Sequence, residues 1–203
     1  MELDFSTLSP NQIYHTMIQS IVPRPIAWVL SQNDSGNYNL APFSYFTAVS
    51  SDPPLLMFSI GKKLDNSQKD TLKNISARKH CVIHISDKNL AQSVALSAAS
   101  LPYGTSEIEH AGLTTIEFDD FLLPRVKQAK IAFGCSLFEI KEIGNKPMAL
   151  VFAEIQKAYV CDDIIQQNES RSIIDAEKLK PLARLGGDDY ASISTPFMIE
   201  RPK

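Results

Sequence analysis

From Pro23 to Ser31, PRPIAWVLS, apolar residues fall on both sides of a two-residue alternation: Ile26, Trp28 and Leu30 on one face, Ala27 and Val29 on the other. That period predicts a strand, and apolar residues on both faces predict one covered on both. NDSGNYN, 33–39, is a turn-rich connection. LAPFSYFTAVS, 40–50, is rich in aromatic and β-branched residues and reads as a strand ended by DPP, because two prolines cannot continue a ladder. LLMFSIG at 55–61 and CVIHIS at 81–86 read as further covered strands. AKIAFGCSLFEIKEI and PMALVFAEIQKAYV are long strands joined through GNKP, the clearest hairpin in the chain.

Helical spacing is confined to short pieces. Ser9 and Pro10 open a turn over NQIYHTMI. Leu72 and Ile75 make one apolar helical face, and NLAQSVALSAASLP reads as a helix with Asn89 as cap and Pro102 beyond its end. YGTSEIEHAGLT is polar and irregular, and DAEKLKPLARLGGDDY is a helical turn followed by a glycine-marked loop. Closely spaced strands with hairpin connections favour an antiparallel barrel over a parallel βαβ sheet. The doubly apolar strands call for extra covering, either by a homodimer burying one outer face of the barrel or by the short helices.

With 203 residues, 44% of them hydrophobic, one domain over 1–203 is expected. The net charge of −3 does not suggest a nucleic-acid partner. No apolar run is long enough for a membrane helix, and MELDFSTLSP has early acids in place of a basic leader, so a cytoplasmic protein is expected. Cys81, Cys135 and Cys161 are widely spaced and odd in number, which fits a reducing compartment. Cys81 and His84 are three apart on a strand and face opposite ways, so no metal site is expected. Neither a dinucleotide nor a P-loop glycine pattern occurs, and no nucleophile elbow.

DNSQKDTLKNI, 65–75, raises the sharpest chemical question. Its plain reading is a cap: Ser67 and Asp70 fit the [ST]-x-x-[DE] pattern, with Asp70 at the third helical position complementing the dipole. That leaves Lys69 unexplained, since a cation in the first turn is unfavourable unless an anion sits there too. Free helix amides, a threonine hydroxyl and a lysine together would cradle a phosphate. RLGG, 184–187, reads either as a helix end with Arg184 beside flexible glycines or as a guanidinium for an anion. PRPIAW reads as an extended strand entry with Arg24 solvated.

Taken together, PRPIAWVLS at 23–31, NLAPFSYFTAVSSDPPLLMFSIG at 39–61, KDTLKNI at 69–75, SEIEHAGLT at 106–114 and LARLGGDDY at 182–190 resemble, in content and order, the flavin reductase-like family with its FMN-binding split-barrel fold, in the flavoredoxin-type branch. The resemblance covers about Val22 to Tyr190. It implies a mainly β fold with short helices, a six-stranded Greek-key-type antiparallel barrel, a homodimer, and FMN near the subunit interface, with FAD possible in its place. Carried over by position, Ser44, Thr47, Ala48, Val49 and Ser50 would line the isoalloxazine, much of it through backbone groups. Lys69, Asp70 and Thr71 would form the phosphate end, with Arg24 and Arg184 as supplementary anion contacts. Glu107 and Glu109 lie in a matching segment without an assigned role.

The implied activity is that of an oxidoreductase, most simply a flavin reductase using NADH or NADPH. The alternatives are an electron carrier that holds FMN without using nicotinamide, and a flavin-binding protein without turnover. No side-chain catalyst is expected, because hydride transfer belongs to the cofactor.

Overall fold

The computed structural model describes residues 1–63, 65–168, 171–200 and 202. Helix α1 (Pro10–Ser20) leads through β1 (Arg24–Pro25) into β2 (Ala27–Gln32), β3 (Tyr38–Phe43), β4 (Phe46–Ser51) and β5 (Pro54–Ile60). Helix α2 (Asp70–Arg78) and β6 (His80–Ile85) follow, then the short helices α3 (Ala91–Leu96) and α4 (Glu107–His110). A ribbon of β7 (Thr115–Ile116) and β8 (Arg125–Val126) precedes the long strands β9 (Ile131–Ile143) and β10 (Met148–Val160). The chain closes with the ribbon β11 (Ile165–Asn168) and β12 (Arg171–Ile174), helix α5 (Ala176–Leu179), and the hairpin β13 (Leu182–Arg184) and β14 (Tyr190–Ser192).

Seven strands form the main sheet, in the order β3-β2-β6-β9-β10-β5-β4. Every neighbouring pair is antiparallel. The segment expected to be one strand over 40–50 is two, broken at Ser44–Tyr45, and this adds a strand to the six anticipated. The break has an architectural effect. β3 and β4 lie at opposite ends of the sheet order yet are joined by only two residues, so the sheet must curl until its ends meet. That is a split barrel.

The alternation read from PIAWVLS sorts the strand's residues between two cores. Ala27 and Val29 pack with Phe58, Ile60, Ile83, Val151 and the α2 residues Leu72 and Ile75. Ile26, Trp28 and Leu30 pack on the other face against Val94, Ile108, Leu113 and Phe118. Within this chain, therefore, α3, α4 and the stretch after them cover that outer face. His84 and Cys81 lie on opposite sides, as their spacing requires, and no group of three metal-ligating side chains occurs among the described residues. Among the same residues no helix is long and apolar enough to cross a membrane.

The helix read over 89–102 is shorter than its apolar spacing suggests. Asp87, not Asn89, supplies the cap: its carboxylate accepts from the Asn89 amide at 2.8 Å, and Lys88–Leu90 is a 3-10 turn. α3 then ends at Leu96. The Ser97 hydroxyl is turned inward, donating to the Val94 carbonyl at 2.9 Å and accepting from the Trp28 indole at 2.8 Å. Such a side chain competes with further helix.

Candidate functional site

The start of α2 borders a concave place lined by charged and polar side chains. Its inner face is set by Leu72 and Ile75, which are buried in the barrel core and fix the helix against β2. Its first turn is not built as the spacing suggested. Ser67 does not cap it: the Ser67 amide and hydroxyl both go to the Asp65 carboxylate, at 2.9 and 2.6 Å. A separate turn explains this, with the Lys63 amide on the Ser67 carbonyl and Asn66 at φ 64°. The helix therefore begins later, with Asp70 as its first residue, Lys69 in the extended capping position, and no side chain on its first amides. Helix N-terminal amides without a side-chain partner carry a partial positive charge.

The residues of that first turn line a cavity of about 150 Å³. Lys63, Lys69, Asp70 and Thr71 line it from the α2 side, Asn39 and Ala41–Phe43 from β3, Ser97–Leu101 from the α3 exit, and Glu107 from α4. Lys63 is matched by Asp70 at 2.5 Å. Lys69 makes no ion pair among the described residues, and its ammonium lies 5.6 Å from the Phe43 ring centroid. Its side chain keeps much of its solvent contact, but loss of water around the ammonium, and secondarily the charge of Lys63, lower its pKa. Bringing an anion close would relieve both effects.

A buried polar layer beneath α2 holds the cavity floor. Asn39 donates to the Thr71 hydroxyl at 2.9 Å and more weakly to Ser31 at 3.4 Å. Asn74 donates to Asn33 at 2.8 Å and to Ser31 at 3.2 Å. With its oxygen accepting from Asn39, the Thr71 hydroxyl has its proton free to donate. Glu107 is 5% exposed, and its Oε2 accepts from the Leu40 amide at 2.9 Å. Burial raises its pKa, and the nearby Asp70 charge adds to that, against the opposing pull of the Leu40 amide and Lys63.

Of the residues given a site role from the sequence, Lys69, Asp70 and Thr71 line this cavity, and so does Glu107, which had been singled out without a role. Ser44 sits at the joint between β3 and β4, and Thr47, Ala48 and Val49 are exposed along β4, with Ser50 half-buried. The ladder shifts register between Ala48 and Ser50, so Val49 occupies a bulge, a feature that re-aims backbone beside binding sites.

Arg24 is neither solvated nor free for an anion. It is 5% exposed and donates to the carbonyls of Ile18, Ile21 and Leu185, with a longer contact of 3.4 Å to Ser44. Arg184 stacks on Tyr190, 4.4 Å to the centroid, and donates to the Gly187 carbonyl within its own hairpin. That hairpin replaces the helix end read from RLGG. Lys63, Asn39 and the wall Ser97–Leu101 were not legible beforehand. Asn39 stands at the head of NLAPFSYF, but nothing in its spacing marks it as a partner of Thr71.

Comparison with known proteins bears on the family and the fold. A model of the flavin reductase like domain matches residues 19–175. The structure of nitrilotriacetate monooxygenase component B from Bacillus cereus superposes with a TM-score of 0.90 at 33% identity, covering 98% of each chain. The 2-nitrobenzoate 2-nitroreductase of Pseudomonas fluorescens superposes at 0.88 and 30% identity, over 100% of this chain and 96% of that one. A split-barrel-domain protein of Shewanella frigidimarina, 21% identical, shares the fold with a TM-score of 0.84 over the full length of both chains.

Proposed function

The chain belongs to the flavin reductase-like family of FMN-binding split barrels, and from that premise we propose that it binds FMN and works as an oxidoreductase, most simply an NAD(P)H-dependent flavin reductase. The observation that carries the reading is the donor set at α2. A helix start without a side-chain cap, an ammonium without an ion pair among the described residues and a hydroxyl with its proton free belong to residues that line one cavity. That chemistry fits a phosphate monoester.

In this reading Thr71 donates to a phosphate oxygen, held in that sense by Asn39, and Lys69 supplies the counter-charge. Asp70 keeps Lys63 engaged, so the two lysines do not both confront the ligand. The cavity takes the phosphate end alone. The ring would lie outward along the β3–β4 joint, against Ser44 and the backbone of Thr47–Ser50. When bound, FMN supplies the hydride chemistry. The chain contributes binding, orientation and one open face for the nicotinamide, and no side-chain acid or base is required of it.

Purified protein should quench added FMN fluorescence stoichiometrically. In an anaerobic stopped-flow trace, NADH or NADPH should bleach the bound flavin within seconds, and free flavin or a nitroaromatic such as 2-nitrobenzoate, offered as acceptors, should restore the colour. Bleaching by dithionite but by neither nicotinamide would sink the NAD(P)H-dependent activity and leave FMN binding standing.

A further inference from the structure

We propose that Glu107 binds a proton when a phosphate dianion enters the α2 cavity, so that the anion is met by a carboxylic acid donor where a carboxylate stood before. The inference rests on the FMN reading above and deepens it. It begins from the charges that face Glu107. From the α2 side these are Lys63, Asp70 and Lys69; β3 offers the neutral Leu40 amide, and the wall Ser97–Leu101 carries no charge. On its own helix, Glu109 and His110 are exposed.

Lys63 is already matched by Asp70 at 2.5 Å, which leaves Lys69 as the only lining cation to balance Glu107. The lining is thus neutral before any ligand arrives, and a phosphate dianion would leave it with two negative charges. Like charges gathered in a cavity walled by protein repel strongly, and the cheapest relief is one proton from solvent. Asp70 is the poorer acceptor of that proton because a cation already sits on it. Glu107 has only an amide, and burial already favours its neutral form. No electron moves in the step: the carboxylate takes up one proton and becomes an acid, whose O–H can donate to a phosphate oxygen or a neighbouring hydroxyl.

Calorimetric titration of the flavin-free protein decides this. At about pH 7.5 the phosphate of FMN is already a dianion, its second ionisation lying near 6. Titration in two buffers of different ionisation enthalpy then reads the protons taken up per ligand. Uptake should approach one proton for FMN and vanish for riboflavin, and FMN affinity should weaken by up to about tenfold per pH unit on the alkaline side. Glu107→Gln, whose carboxamide oxygen still accepts from Leu40, should abolish the uptake. FMN binding without uptake, or uptake that survives Glu107→Gln, overturns the proposal and leaves the FMN reading intact. Absence of FMN binding overturns both. Should the Gln variant fail to fold, an infrared difference spectrum of FMN binding to the native protein decides in its place: a protonated-carboxyl band appears if the proposal holds and is absent if it fails.

Discussion

Thr71 is 2% exposed and is held by a neighbour distant in sequence, since Asn39 occupies its oxygen and leaves its proton for the cavity. Thr71→Ala should therefore weaken FMN by about 1.5–3 kcal/mol, the worth of one hydrogen bond to a charged group. Riboflavin affinity should change little. Equal losses for the two flavins, measured by fluorescence quenching, would mean that Thr71 serves only the helix. Its place in the site was legible because Lys-Asp-Thr at a helix mouth is itself a chemical pattern. Asn39 was not, because its role exists only once β3 and α2 are packed together. Glu107 stood in a recognised segment without a role for the same reason: its amide partner, Leu40, is 67 residues away in sequence.

Strands were readable as elements because alternation depends only on a residue's neighbours, and the long hairpin of β9 and β10 lies where GNKP puts it. What failed were beginnings and ends. Ser67 was drawn into its own turn by Asp65, Asp87 displaced Asn89 as cap, and a strand broke at Ser44–Tyr45. Arg24 looked solvated in an exposed-sounding PRP, yet it joins the carbonyls at the end of α1 to the hairpin of β13 and β14. Partners like these cannot be inferred from local pattern.

His84 is a further case, and it makes a pH-dependent link between elements. Fully buried on β6, it accepts from the Val126 amide on β8 at 2.9 Å through Nε2, so its Nδ1 donates to the Trp28 carbonyl on β2, also at 2.9 Å. Burial, with Arg125 nearby, lowers its pKa from 6.5 to about 4. The neutral ring is the one that fits, so the stabilisation is complete above the unfolded value and is lost as pH falls from 6.5 towards 4. By linkage the loss is of order 3 kcal/mol. Denaturant unfolding at neutral and acid pH should show this slope in the native protein. His84→Gln, which cannot titrate, should lower stability at neutral pH but remove that part of the acid dependence. An unchanged slope would mean that His84 is not the group responsible.

For the whole molecule the open question is the edge of the sheet. β4 pairs only with β5, and its other side has no strand among the described residues. An unpaired edge is a liability that proteins normally cover or charge. Here it carries Thr47, Ala48 and Val49, with Val49 46% exposed, and no charged residue lies between Phe46 and Ser51. Through Arg24, the joint at Ser44 is tied to the end of α1, where Ile21 is 59% and Val22 43% exposed. The edge and the helix end thus both carry exposed apolar side chains, Arg24 links that helix end to the joint, and the flavin ring is placed above along the same edge and joint. We expect two copies to meet there, each helping to enclose the other's flavin. Sedimentation equilibrium should then give a dimer, and Val49→Lys should weaken both dimerisation and FMN affinity. Coupling of the two losses is the decisive feature, because a charge on a surface remote from the ligand would change assembly alone. A protein that stays monomeric at tens of micromolar while holding FMN tightly would remove the second copy from the site.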